Sequence, residues 1–213
     1  MAIFGPAGPG EPFRNNAIMW NFDDCALAMG FADTAKLIVE HWVDKGPNDA
    51  LFVPLIYNCR HALELVLKAA IREAAARLRA DGRTEKYLEP VCVDEWLADE
   101  AVHNLHKLAF RLDKMLEALD LDTLPADTNR VLLSIHGLDP NGQTFRYAQV
   151  RKGRGAAFED APLPRVTDGN YGANVDVVAM HKHFDEAFML ISGGVMSVLE
   201  QYAQYQRDMA EWL

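Results

Sequence analysis

The sequence has few cysteines, and they are not arranged for metal or disulfide chemistry. Only three occur in 213 residues, Cys25, Cys59 and Cys92, and no two of them form a CxxC pair. An odd number of scattered cysteines is typical of a reduced compartment rather than of a disulfide framework. We expect Cys25 and Cys59, which lie in strongly helical segments, to be small core residues.

The sequence also lacks a signal peptide and a long uncharged apolar run. The longest such run, from Ala187 to Leu199, is too short to cross a bilayer and contains two adjacent glycines. The N-terminal segment MAIFGPAGPGEP has no basic start followed by an apolar stretch. The sequence therefore predicts a cytoplasmic protein without membrane partners.

Basic residues are outnumbered in this chain. There are 21 lysines and arginines against 31 aspartates and glutamates, which gives a formal net charge of −10 at pH 7. This balance argues against a broad nucleic-acid-binding surface, because such a surface is strongly cationic. It leaves a local basic patch open.

Most known catalytic motifs are absent as well. The chain has no P-loop, no GxGxxG before a helix, no GxSxG and no HExxH. Two histidine pairs occur, His103 with His106 and His181 with His183, but no carboxylate or cysteine cluster accompanies them. We therefore predict neither a bound metal nor a cofactor.

The chain does have strong helical periodicity, which predicts an all-α protein. Residues 1–14 look like a flexible Gly/Pro lead-in, and residues 15–213 a single helical domain. Helices are predicted over residues 16–44, 50–80, 100–119, a shorter segment that starts at LPADTNR and stops at Gly137, and a last segment from about Asn174 to the end. Within the third helix, the residues expected to face one side are Leu105, Leu108, Leu112, Leu116 and Leu119. The result is an up-and-down bundle of about five helices.

An insertion without helical period separates the last two helices, over residues 139–174. Its segment TFRYAQV alternates enough for a short strand, so either a small hairpin or an ordered loop is expected. Between Asp139 and Glu159 there is no acidic residue. The cations and the aromatic residue expected to contact nucleic acid there are Arg146, Tyr147, Arg151, Lys152 and Arg154. Arginine contacts to phosphate and stacking on aromatic rings commonly hold single-stranded RNA, whereas the alternative is a solvated loop.

The last helix carries apolar residues at heptad spacing. They step by four and three from Phe184 through Phe188, Ile191, Val195, Val198, Tyr202, Tyr205 and Met209. Such a stripe is either a seam of the bundle core or the seam of a homodimer. Both interpretations stay open at the level of sequence.

The segment YNCRHALELVLKAAI, residues 57–71, places polar side chains in an otherwise apolar helix. Tyr57, Arg60, His61, Glu64 and Lys68 fall within one sector roughly 100° wide. Buried charges must be paired or must face a wet cavity. This polar face is therefore either an internal network that ties helices together or the wall of a ligand or RNA cleft.

Three fragments together resemble the prokaryotic HEPN-like family. YNCRHALELVLK resembles its Y-x-x-R-H-A-x-E-L-x-L-K helix, HNLHKL resembles its H-x-L-x-x-L segment, and LDPNGQTFRYA resembles its D-P-x-x-x-x-F-R-Y stretch. The order and spacing also agree, over about residues 50–150. The resemblance implies a helical bundle of four or five helices, often dimeric. It also implies either metal-independent ribonucleases of defence and toxin–antitoxin systems or inert binding modules beside nucleotidyltransferases or antitoxins.

Active members of that family carry an arginine followed four to six residues later by a histidine. Here the matching pair is Arg130 and His136, in which the arginine would steady phosphate and the histidine would move a proton. Residues six apart on an unbroken helix differ in direction by about 120°, so this pair converges only if the helix ends near Ser134. The alternative centre is Arg60, His61 and Glu64, completed across a dimer axis.

Overall fold

The computed structural model describes residues 21–138, 149–151, 158–160 and 175–211, and these residues are mostly helical. Helix α1 spans Asp24–Lys45. Its first turn is capped by the Asp23 side chain, which accepts a hydrogen bond from the Ala26 backbone N–H at 2.8 Å. The predicted start at residue 16 is wrong for residues 21–23, because residues 21 and 22 precede the cap and Asp23 is the cap itself. Small side chains form the buried face of α1, namely Ala28, Ala32, Ala35 and Val39.

Helix α2, Phe52–Ala80, is the centre of the bundle. It contacts every other helix of the described chain, and the small buried face of α1 allows α1 to pack closely along it. Sixteen of its residues are buried, most of them leucine and alanine. The prediction of a central buried helix over residues 50–80 is confirmed. By length and composition alone, the helical run Asp49–Ala80 is long and apolar enough to cross a membrane, as a buried core helix also is.

A short helix α3, Pro90–Glu95, follows and continues into a π-helical turn, Trp96–Ala101. Helix α4, Leu105–Ala118, therefore begins five residues after the predicted start at 100. The difference arises because Val102 has a φ of 48°, which ends the preceding helical turn. Asn104 then caps α4 by accepting from the Lys107 N–H at 2.9 Å. The five leucines predicted to share one face of this segment are all buried.

Helix α5, Ala126–Leu138, follows α4 after a short loop and packs against it. The loop is held where the Asp113 carboxylate accepts from the Leu124 N–H at 2.8 Å. Within the insertion, strand β1, Gln149–Arg151, pairs antiparallel with strand β2, Phe158–Asp160, and Val150 lies opposite Glu159.

The C-terminal helix comprises α6, Val177–Met189, a π-helical turn over Leu190–Val195, and α7, Met196–Glu211. The first three heptad positions, Phe184, Phe188 and Ile191, are buried in the core. After the π-helical turn, the prediction that the heptad residues form a seam of the bundle core is wrong. There Leu199 and Ala203 are buried, and three predicted seam residues are exposed, namely Val198, Tyr205 and Met209.

The physical reason for this change is the extra residue that a π-helical turn contains. A π turn advances the chain by one residue more than an α turn, so the face that pointed to the core is rotated away. Polar contacts then anchor α7 to the end of α2. The Tyr202 hydroxyl donates to Asp81 at 2.8 Å, and the Gln206 amide donates to Asp81 at 2.7 Å.

Candidate functional site

The polar face of α2 contains a buried carboxylate with three partners. Glu64 receives Arg60 Nη1 at 3.2 Å and Lys68 Nζ at 2.8 Å, both from its own helix. His103, at the turn before α4, places its Nδ1 2.9 Å from Glu64 Oε1. Arg60 also donates through Nη2 to the His103 backbone carbonyl. These four residues, which we call the Glu64 network, join α2 to the start of α4.

Burial and charge act in opposite directions on the carboxylate of the network. The side chains of Arg60 and Glu64 are only 3% and 2% exposed. Burial alone raises the pKa of Glu64, but the hydrogen bonds and charges of Lys68 and His103 outweigh it and bring the pKa below its ordinary value. Glu64 is therefore an anion at neutral pH. The Glu64 network holds α2 and the start of α4 together inside the bundle.

His61 does not join this network. Its ring stacks against Tyr57, with centroids 5.7 Å apart, and packs edge-on against Phe31 of α1, with centroids 4.4 Å apart. Neighbouring residues on a helix diverge by about 100°, so Arg60 faces α4 while His61 faces α1. Within one chain, the alternative centre Arg60, His61 and Glu64 is thus divided between two helix interfaces.

The turn that holds His103 has an unusual backbone. Asn104 N–H donates to Ala101 C=O at 2.8 Å, and Val102 has φ 48° and ψ −100°, which is close to the first central position of a type II′ turn. Glycine dominates that position, because a β-branched residue is strained there. The bonds from Glu64 and Arg60 to His103 hold the strained turn in place.

The pair Arg130 and His136 does not converge in the way the family pattern requires. Helix α5 continues without a break through both residues and ends at Leu138, so the two side chains differ in direction by about 120°. Arg130 is 75% exposed and forms an ion pair with Asp127, one turn earlier on the same helix. His136 is half-buried.

A surface groove between α5 and α6 brings Arg130 together with a different histidine. The groove has a volume of about 610 Å³, and both Arg130 and His183 line it, with Ser134 beside Arg130. His183 is exposed, and its Nδ1 lies 3.5 Å from Glu186 Oε2. The apolar lining of the groove is formed by Val131, Ile135, Met180, Ala187 and Leu190. An exposed cation and a proton-transfer group therefore face one cavity from two helices.

Sequence reasoning placed His183 in a histidine pair but gave it no role. The available signal was its spacing from Met180 and Ala187, which puts all three on one face of α6. The facing helix could not be identified from that spacing. His181, two residues earlier, lies against Phe184 instead, with ring centroids 5.6 Å apart.

The remaining predicted contacts lie mostly outside the described residues. Arg146, Tyr147, Lys152 and Arg154 are outside them, and Arg151 ends strand β1. Within the described ranges, no group of three histidine, cysteine, aspartate or glutamate side chains has the geometry to hold a metal ion. Cys59 is buried as expected, whereas Cys25 is only half-buried.

Comparisons with known proteins add no further assignment. No protein-family model, no curated protein and no solved structure matches the chain. The HEPN-like family therefore stays a prediction that rests on the resemblance of three sequence fragments.

Proposed function

We propose that this chain is a cytoplasmic HEPN-like protein of a bacterial defence or stress system that binds RNA in the α5–α6 groove and cleaves it without a metal ion. The observation that carries the proposal is the presence of Arg130 and His183 on facing walls of one groove. The HEPN-like arrangement of the bundle belongs to the proposal.

The chemistry requires only these two side chains and the RNA itself. A histidine nitrogen takes the proton of a ribose 2′-hydroxyl, and the 2′-oxygen attacks the adjacent phosphorus. The bond from phosphorus to the 5′-oxygen breaks, that oxygen takes a proton from water, and the histidine gives up the proton it accepted to the resulting hydroxide. The products are a 2′,3′-cyclic phosphate and a 5′-hydroxyl. Arg130 stabilises the negative charge on the phosphate oxygens during the step, since a guanidinium matches phosphate geometry.

The position of Arg130 supports this role better than that of Arg60. Arg130 is exposed, and its Asp127 partner is on the surface, where an ion pair is worth only about 0–1 kcal/mol. A phosphate can therefore replace Asp127 at little cost. Arg60 is buried and bound to Glu64 and to a backbone carbonyl, so RNA does not reach it in this conformation.

The test is incubation of purified protein with tRNA and total RNA in EDTA, with separation of the fragments and analysis of their termini. Arg130→Ala and His183→Ala are expected to lose cleavage, whereas His136→Ala retains it. Matched controls are Arg207→Ala, which removes an exposed arginine paired with Glu200 at 3.0 Å, and His106→Ala, which removes an exposed histidine. Cleavage that survives in both groove variants contradicts the proposed site.

A second candidate function is an inert interaction module that forms a homodimer or binds a partner such as a nucleotidyltransferase or an antitoxin. The observation that favours it is the exposed stripe Val198, Tyr205 and Met209 on α7, at heptad spacing. In sedimentation experiments, Tyr205→Glu is expected to convert a dimer to a monomer. A wild-type protein that is a stable dimer and cleaves no RNA would favour this second function.

A further inference from the structure

A second surface pocket contains an arginine whose guanidinium contacts two aromatic rings. Arg111 of α4 places its Cζ 4.6 Å from the ring centroid of Tyr87 and 5.2 Å from that of Trp96. Tyr87 lies in the short 3-10 turn Lys86–Leu88, and Trp96 begins the π-helical turn before α4. Two cation–π contacts fix the orientation of the guanidinium before any ligand arrives.

The hydrogen-bonding edge of this guanidinium is unused. Arg111 Nε is buried without a hydrogen-bond partner, and within the described residues Arg111 forms no ion pair. Arg60 and Arg72, by contrast, each bind carboxylates. Neither terminal nitrogen, Nη1 or Nη2, donates to any described residue, so both are left for acceptors that a ligand brings into the pocket.

The pocket around Arg111 also presents carboxylates. Its volume is about 680 Å³, and its lining includes Glu95, Asp99 and Glu100 beside Tyr87 and Trp96. This volume lies within the range of about 300–1,000 Å³ that is usual for small-ligand pockets. The acidic lining disfavours a ligand recognised only by its negative charge. The pocket instead matches a planar ligand with acceptors on one edge and donors on another.

We propose that this pocket binds a guanine base. Guanine offers O6 and N7 as two adjacent acceptors, the pair that an arginine fork contacts most often in nucleic-acid recognition. Its N1–H and exocyclic amino group donate toward carboxylates, and its ring stacks on the Tyr87 side chain, which is 47% exposed. Adenine presents an amino donor beside N7 and would oppose the arginine donors.

This site goes beyond the proposed function and does not depend on it. Arg111 is not among the residues that line the α5–α6 groove, so guanine binding stands even if the groove cleaves no RNA. If RNA cleavage does occur there, the guanine site adds a base preference to it.

The experiment measures binding of guanosine, adenosine and uridine 5′-monophosphates to the full chain by titration calorimetry. We expect the guanine nucleotide to bind at least about tenfold more tightly than the adenine nucleotide, which corresponds to about 1.4 kcal/mol. A second arm compares the oligoribonucleotides UUGUU and UUAUU. Binding of the nucleotide alone assigns the site to a free nucleotide, and binding of both assigns it to a base within RNA.

Substitutions at Arg111 and Tyr87 distinguish the bidentate hydrogen bonding of the guanidinium from its positive charge. Arg111→Lys keeps the charge but loses the fork, so it is expected to lose the preference for guanine over adenine. Tyr87→Leu is expected to weaken the binding of all bases to a similar extent, because any base can stack on the Tyr87 ring. The control is Arg83→Ala, which removes an exposed arginine paired with Glu85 at 3.4 Å. Urea unfolding verifies that each variant is folded. Equal affinity for guanine and adenine nucleotides in the wild type, or an unchanged preference in folded Arg111→Lys, overturns the proposal.

Discussion

Arg60 and Arg130 illustrate two uses of the same side chain in one small bundle. Each is paired with a carboxylate on its own helix, Arg60 with Glu64 and Arg130 with Asp127. Arg60 is 3% exposed and its partner bonds to two further residues, whereas Arg130 is 75% exposed and its partner is on the surface. An arginine is thus a candidate for ligand binding when its ion pair is weak and exposed to solvent. The sequence motif around it does not decide this.

Removal of the buried Glu64 carboxylate is expected to have the largest effect on stability. Glu64→Gln removes the carboxylate that pairs with the buried Arg60 and accepts from Lys68, so we expect the free energy of unfolding to fall by about 3–5 kcal/mol. Urea denaturation followed by circular dichroism measures this change. The matched control is Glu117→Gln, which removes an exposed partner of Lys114 and should cost about 0.2–1 kcal/mol. A loss no larger than that of the control would show that the Glu64 network does not hold the bundle.

The strained turn tests the same network from its other end. Val102→Gly removes the steric cost of φ 48°, about 1–3 kcal/mol, and adds a backbone entropy cost of about 0.5–1 kcal/mol. We therefore expect a net stabilisation of about 0.5–2 kcal/mol in the same denaturation experiment. Val91→Gly, at an exposed position of α3, is the control and should destabilise. A decrease in stability for Val102→Gly would contradict the assignment of strain to this turn.

The pH dependence of stability is a smaller effect, and it distinguishes a buried histidine from its exposed neighbour. Burial at the α1–α6 interface lowers the pKa of His181 below its ordinary value of 6.5, and Lys36 adds to this, although Asp185 and Glu40 oppose it. The unfolded chain thus binds a proton before the folded chain does. Stability is full above about pH 6.5 and falls as the pH decreases from there toward the lowered pKa.

We expect this fall in thermal midpoints measured between pH 7.5 and 5.5, and we expect His181→Gln to reduce it. Lys182→Gln, which changes the next residue, an exposed one, should keep it. Glu64 acts in a separate and more acidic window. Because its folded pKa is lowered from 4.5, its contribution is present above pH 4.5 and is lost as the pH falls through the folded value. An unchanged pH dependence in His181→Gln would argue against proton-linked destabilisation at this interface.

The smallest expected effect on stability is that of Arg130→Ala. Its exposed ion pair with Asp127 contributes little, so the free energy of unfolding should change by no more than about 0.5 kcal/mol. RNA cleavage, if the proposed function holds, should be lost in the same variant. A large loss of stability would mean that Arg130 supports the fold, and the contrast with Arg60 would then disappear.

Local periodicity predicted much of this fold, because it depends only on neighbouring residues. Helix α2 begins within two residues of the predicted position, and the five leucines of the third predicted helix are all buried. The π-helical turns at Trp96–Ala101 and Leu190–Val195 were not predictable in this way. An extra residue of this kind depends on tertiary packing, and apolar spacing carries no sign of it.

The candidate site was less accessible to sequence reasoning than the fold. The polar face of α2 was visible as a sector, but whether it faces α4 or solvent depends on which helix packs against it. Arg130 was found through the family pattern, which pairs it with His136. The shared groove of Arg130 and His183 requires the tertiary position of α6, and these two residues are 53 positions apart along the chain. A distance of that kind along the chain leaves no local signal.

The six-residue turn Leu190–Val195 also has a consequence for how this surface could change during evolution. Loss of a single codon at Gly193 or Gly194 would remove the extra residue and restore an uninterrupted α-helix, so the side chains after it would keep the directions that they have now. Val198 and Tyr205 would stay on the outward face, and Tyr202 would stay on the side of Asp81. The turn is thus a place where one residue can be gained or lost without replacing the outward face of the C-terminal helix.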